Sequence, residues 1–259
     1  MTASLKSHSH GQTMVLTISN VEHRNALGPE IYAAGIEALN VAENNPDIRS
    51  VVITGEGRHF CAGGNLQRLQ TNRQQPPEVQ AESIELLHNW IETIRAFPKP
   101  VLAAVEGSCA GAGFSLALAC DLVVAADDSV FVMAYVNVAL SPDGGATWSL
   151  LRSLPRSTAL QLLMGGERID AIRLQQLGLV SRVSTGGQAL DDALAWAEQL
   201  NSRAPNALAS IKELANDALG QSLHDQLAAE RAHFVRNLHH ANGGEGIAAF
   251  IGKRTPVYR

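Results

Sequence analysis

The stretch "VEGSCAGAGFSLALACD", Val105 to Asp121, decides how the chain is read. It begins at the end of an apolar run, "VLAAVEG", passes through three glycines in seven residues, and continues as "GFSLALAC" with nothing to break a helix. The spacing predicts a strand, a tight glycine turn and a helix entered through small residues. Such a helix start leaves backbone N–H groups without intrahelical partners and carries positive partial charge, so it suits an anion or a developing oxyanion. From Gly107 the pattern is G-x-x-x-G-x-G, which misses the dinucleotide spacing, and no Lys-Ser/Thr follows to make a phosphate loop. Close packing of helix on strand, without a ligand, explains the glycines equally well.

Working outward, "SVVIT" (Ser50 to Thr54) is another short β-branched strand, and it leads into a second glycine turn, "FCAGGNL" (Phe60 to Leu66). Two parallel strands would deliver both turns to the same carboxyl edge of a sheet. "TMVLTIS", "DLVVAA", "VFVMA" and "LVSRVS" read as further strands. A helix is expected after Pro29, with Tyr32, Ile36 and Leu39 on one face. Another carries Leu87, Trp90, Ile91, Ile94 and Phe97 and stops at "PKP". The alternation gives an α/β fold with mainly parallel strands. Short helices follow Pro142. From Gly187 the chain reads as helical, with stripes at Leu190, Leu194, Ala197 and Leu200 and at Leu223, Leu227, Phe234 and Leu238. We place a core over residues 1–200 and a helical region over 201–259. The opening dozen residues have no periodic face and read as a loose arm. The polar, proline-containing "RLQTNRQQPPEVQ" (Arg68 to Gln80) reads as a mobile pocket lid.

The 259 residues carry a formal net charge of −5 and show no basic run, which argues against a nucleic-acid partner. No apolar run is long enough for a membrane span, and the N-terminus lacks the apolar centre of a signal peptide. Cys61, Cys109 and Cys120 are too few and unevenly placed for a disulfide framework or a zinc site, so a cytoplasmic location is expected. His233, His239 and His240 sit in a charged helical stretch and read as a solvated surface, and no metal site is expected.

Taken in order, "HRNAL" (His23 to Leu27), "FCAGGNL", "VEGSCAGAGFSLALACD", "SPDGGATW" (Ser141 to Trp148), "GERIDAIRLQQLGLVSRV" and "FIGKRTPVY" resemble the crotonase family, the enoyl-CoA hydratases and isomerases, over nearly the whole chain. The resemblance implies a spiral of ββα units with a C-terminal helical trimerisation region, and a homotrimer or a hexamer made of two trimers. It implies an acyl-CoA thioester as substrate and no cofactor besides the CoA of that substrate. The oxyanion-hole N–H groups would be those of Gly64 and Ala112. Ala62, Arg24, Phe250 and Lys253 match positions that bind substrate, the last two from a neighbouring subunit. Hydratases of the family carry two glutamates, and the matching positions here are Ser115 and Tyr135, so ordinary hydration is in doubt. Asp143 matches the acid of the aspartate-dependent isomerases, such as the epoxyphenylacetyl-CoA isomerase type. Read alone, Asp143 also suits a helix N-cap. Ser115 reads as a filler on a helix face, and Tyr135 as a strand residue in the core or pocket wall. Isomerisation of an unsaturated or epoxy acyl-CoA is the leading expectation. A hydratase, a hydrolase or dehalogenase with nucleophilic Asp143, and a non-catalytic acyl-CoA scaffold are the alternatives.

Overall fold

A computed structural model describes residues 3–259. Nine strands are formed: β1 (Ser4–His10), β2 (Thr13–Ser19), β3 (Ser50–Gly55), β4 (Val101–Val105), β5 (Ser108–Ala110), β6 (Leu122–Ala126), β7 (Val130–Val132), β8 (Arg168–Asp170) and β9 (Arg182–Ser184). Helices α1 (Pro29–Asn44), α2 (Leu66–Asn72), α3 (Pro77–Ala96) and α4 (Ala112–Ala119) alternate with the early strands. Next come α5 (Ala146–Ser153), α6 (Arg156–Gly165), α7 (Ala171–Gln176) and α8 (Ala189–Asn201). The chain ends with α9 (Pro205–Ala218), α10 (Leu223–Leu238) and α11 (Ala241–Ile251).

The main sheet has the order β1-β2-β3-β4-β6-β9, and every pairing from β2 to β9 is parallel. Its central strands, "SVVITG", "VLAAV" and "LVVAA", are apolar throughout because both faces are covered. On one face, Val52, Leu102, Ala104, Val124 and Ala126 meet the alanines 189, 193 and 197 of α8. The other face, with Val51, Ile53, Ala103 and Val105, packs on α1, α3 and α4 through Ile31, Leu39, Trp90, Ile94 and Phe114. A second, small sheet, β5-β7-β8, lies beside the first and continues from the carboxyl ends of β4 and β6.

One expectation fails here. The opening residues are not a loose arm: Ser4–His10 pairs antiparallel with β2 along its whole length, from Ser4 opposite Ser19 to His10 opposite Thr13. The two-residue turn between them uses Gly11 at φ +56°. This strand was illegible because it is an edge strand with polar, mostly exposed side chains, and such strands carry no apolar alternation. The segment 68–80, read as a lid, is largely helical. It is α2, a turn, and the first residues of α3, and Asn65 caps α2 by accepting from the Arg68 N–H at 3.1 Å.

Candidate active site

The two glycine turns touch. Past β3 the chain runs alongside β5: the Cys61 N–H donates to the Ser108 carbonyl at 3.0 Å, and the Ala110 N–H donates to the Cys61 carbonyl at 2.9 Å. Gly63 then passes so close to the second turn that a Cβ on it would lie 2.8 Å from the Ala110 oxygen and 3.4 Å from the Ala112 nitrogen. Gly63 and Gly111 both have positive φ, +95° and +51°, which glycine adopts without steric cost. Gly113 has a packing role instead, since a Cβ there would strike Cys61. Close packing and an open helix start are therefore both present, at different glycines. The first residue of α4 is Ala112, and neither its N–H nor that of Gly64 has an acceptor among the described residues.

The turn over His23 to Leu27 holds the first loop from outside. The Ala62 N–H donates to the Arg24 carbonyl at 2.9 Å, and the Leu27 N–H to the Gly63 carbonyl at 2.8 Å. Asn25 fixes the turn. It is fully buried with φ +59°, and its amide nitrogen donates to the carbonyls of Glu56 (2.9 Å) and His59 (2.6 Å). No role for this asparagine was legible in the sequence; an Asn between a strand and a helix, a residue type that tolerates a left-handed turn, was the available clue. The Arg24 side chain is exposed.

Asp143 stands on the turn before α5. It is not a helix cap: the N-cap residue is Gly145, and no side chain caps that helix. Its carboxylate Oδ1 instead accepts a hydrogen bond from the Tyr135 hydroxyl at 2.6 Å. Tyr135 lies in a short 3₁₀ turn, Ala134–Val138, rather than on a strand. Ser115 Oγ is 3.1 Å from the Tyr135 hydroxyl and donates to the Asp143 carbonyl at 3.0 Å. Ser115 is thus no mere helix-face filler. It lies on α4 three residues after Ala112, so one short helix carries both the open N–H and the group that fixes Asp143. On the other side, the Gly144 N–H points at His88 Nε2, 3.4 Å away. Burial, and then the neighbouring Asp143 charge, push the Tyr135 phenol well above its usual range, so it stays a donor.

Beside this turn a cavity of about 720 Å³ opens between α3, α5 and α9, bordered by His88, Gly144, Gly145, Trp148, Lys212 and Asn216. The Trp148 ring is flanked by the guanidinium groups of Arg95 (4.6 Å) and Arg152 (4.1 Å). Val138, Leu140 and Trp148, close to Asp143 in sequence, are all partly exposed.

A family model described as enoyl-CoA hydratase/isomerase matches residues 9–259. The chain belongs to the enoyl-CoA hydratase/isomerase (crotonase) family. It is 34% identical to a 1,2-epoxyphenylacetyl-CoA isomerase of Escherichia coli K12, covering 97% of each chain, and 33% identical to a 2,3-dehydroadipyl-CoA hydratase of the same organism, covering 96% of this chain and 95% of that one. A crystal structure of an enoyl-CoA hydratase from Polaromonas sp. JS666 superposes with a TM-score of 0.98 at 73% identity, over 99% of this chain and 100% of that one. The fold is therefore the crotonase fold, and the chain is an enzyme of the crotonase superfamily, whose members act on acyl-CoA thioesters.

The remaining candidates divide sharply. Gly64, Ala112, Ala62 and the Arg24 backbone meet at the paired loops, and Ser115, Tyr135 and Asp143 form one hydrogen-bonded cluster. Phe250, 87% exposed, and Lys253 lie at the end of α11, which packs on α10, and they are not part of this gathering. His233 departs from expectation: it is buried, with its ring 2.7 Å from Arg236 Nη2 and 3.7 Å from Glu213, because α10 turns that face onto α9. Cys61 and Cys109 are buried fillers, and burial pushes the Cys61 thiol up to about 12. No helix among the described residues is long and apolar enough to cross a membrane.

Proposed function

We propose that this enzyme isomerises an unsaturated or epoxy acyl-CoA. The thioester oxygen accepts from the N–H groups of Gly64 and Ala112, which stabilise the enolate formed when a proton leaves carbon. Asp143 takes that proton from one carbon and returns it to another, so no atom is gained or lost. The observation that carries this reading is the 2.6 Å hydrogen bond from Tyr135 to Asp143 Oδ1. It orients the carboxylate through one oxygen and leaves the other for the substrate. Ser115 holds the main chain of the same residue. The isomerase relative from E. coli, similar over the whole chain, supports the choice. The chemistry as written calls for no group beyond the CoA of the substrate.

Incubation with enoyl-CoA thioesters in deuterated water tests it. Deuterium should enter at the α- or γ-carbon at a rate matched to double-bond migration. Absence of exchange with every thioester tried would point to a scaffold without chemistry. A second reading, hydration, is favoured by the two hydroxyls of Ser115 and Tyr135 beside Asp143, which could position a water. It would appear as net addition of water to the enoyl group. Isotopic oxygen from water appearing in Asp143 would mark the nucleophilic route instead.

The same reading assembles the chain as a homotrimer, or as two stacked trimers, through residues 201–259. Leu223, Leu227, Phe234 and Leu238 on α10, with Phe250 and Ile251 on α11, are between 44% and 87% exposed in the single chain, more apolar surface than a monomer usually leaves open. Phe250 and Lys253 would then meet the CoA of a neighbour. A monomer mass by light scattering would contradict this. Three free, buried cysteines agree with a cytoplasmic enzyme.

A further inference from the structure

An arginine without a carboxylate partner lies close to the oxyanion loop. Arg68 follows Gly64 by one helical turn, on α2. Its side chain reaches the start of α1, where a Cβ built on Gly28 would lie 3.0 Å from Nη1. Its Nη2 hydrogen-bonds Ser83 Oγ on α3, and Ser83 is itself buried. The guanidinium thus reaches both α1 and α3. It forms no ion pair within 4.0 Å among the described residues. Glu30, an exposed residue, also approaches Gly28, with Oε2 3.1 Å from the same Cβ position, but it does not close on the guanidinium.

Two further groups connect this guanidinium with the Asp143 turn. Tyr32 stands one turn after Gly28 on the same face of α1 and is 96% buried. Its hydroxyl has no hydrogen-bond partner among the described residues. The phenol lies within electrostatic reach of both Arg68 and Asp143. Leu87, one turn after Ser83 on α3, packs against the Gly144 turn, where a Cβ would be 3.5 Å from Leu87 Cδ2. A purely hydrocarbon acyl tail would leave a half-buried guanidinium and an unpartnered phenol facing methylene groups, which is unfavourable for both.

We propose that Arg68, aided by Tyr32, is a specificity subsite for an anionic acyl tail, so that the preferred substrates are CoA thioesters of acids carrying a second carboxylate. The inference rests on the acyl-CoA reading above but not on the reaction assigned there. A carboxylate meeting a planar guanidinium makes short, charge-assisted bonds, and replacing it with a methyl group forfeits them.

Calorimetric binding of adipyl-CoA against hexanoyl-CoA, and of glutaryl-CoA against pentanoyl-CoA, tests the idea without turnover, since all four are saturated. The wild-type enzyme should prefer the carboxylate-ended member of at least one pair by about tenfold or more. In Arg68→Met that ratio should fall to near one, and in Arg68→Lys it should be intermediate, because the charge remains without the planar fork. Equal or tighter binding of the methyl-ended thioesters by the wild type overturns the proposal, whether or not the variants fold. So does an Arg68→Met protein that weakens all four ligands alike, which would assign Arg68 to the CoA moiety or to the fold. Failure of proton exchange with every enoyl-CoA would refute the isomerase reading and leave this ratio untouched.

Discussion

Replacing Asp143 by asparagine removes the proposed proton carrier and little else. The substitution keeps shape and keeps an oxygen that can accept from the Tyr135 hydroxyl at 2.6 Å. The Ser115 bond goes to the Asp143 backbone carbonyl and is unaffected. Asp143 has no ion pair among the described residues, so the fold loses only the charge-assisted part of one hydrogen bond, about 1 kcal/mol. The chemical step loses a general base, which typically contributes about 10²- to 10⁴-fold. The expected result is kcat lowered by that factor, thioester affinity changed by less than about threefold (roughly 0.6 kcal/mol), and deuterium exchange at carbon abolished in parallel. The assay is single-turnover isomerisation beside equilibrium binding, with a melting curve to confirm folding. A variant that turns over and exchanges as the wild type does would remove Asp143 from the mechanism. A variant that binds substrate as much as a hundredfold more weakly would make the carboxylate a binding group and refute the division of labour between it and the loops.

Three other outcomes follow from separate parts of the molecule. Ala112→Pro deletes one N–H at the first position of α4, where proline is tolerated; it should lower kcat by about 10²- to 10³-fold with little change in melting temperature, and an active variant would place the oxyanion elsewhere. Gly35→Ala puts a methyl 2.3 Å from the fully buried Trp90 ring between α1 and α3, so it should destabilise by about 1–3 kcal/mol, seen as a drop of about 2–4 °C for each kcal/mol; an unchanged melting temperature would contradict that packing. Burial raises the phenols of Tyr32 and Tyr135, so their contribution to stability is complete below the unfolded value of about 10 and is lost as pH rises towards the folded-state values. In a Tyr258→Phe background, ultraviolet titration should show no phenolate near pH 10, roughly the ordinary value for a phenol, while the fold persists, and a full transition there would contradict the burial.

Much of the architecture was legible because buried parallel strands and two-faced helices leave strong patterns. "SVVIT" and "VLAAV" could hardly be anything but inner strands, and the stripe from Leu87 to Phe97 marked α3. What stayed hidden had no apolar pattern to show. β1 is polar because one edge of it faces water, and α2 is short, polar and positioned by its Asn65 cap and by tertiary contacts. The candidate site was legible where the chemistry sits on backbone, since glycine spacing after two strands foretold touching loops. The hydrogen-bonded cluster was not. Ser115, Tyr135 and Asp143 are separated by 20 and 8 residues, and only the fold of the 3₁₀ turn brings the phenol onto the carboxylate. The approach of Arg68, in the segment expected as a lid, to Tyr32, on one face of α1, was hidden for the same reason: side-chain convergence across helices leaves no local trace.

The proposed chemistry turns on the two open N–H groups of Gly64 and Ala112. A crystal structure with a bound, unreactive acyl-CoA analogue measures their role directly. The thioester oxygen should lie between them, about 2.7–3.1 Å from each nitrogen. A thioester oxygen bound elsewhere, or touching only one of the two, would contradict it.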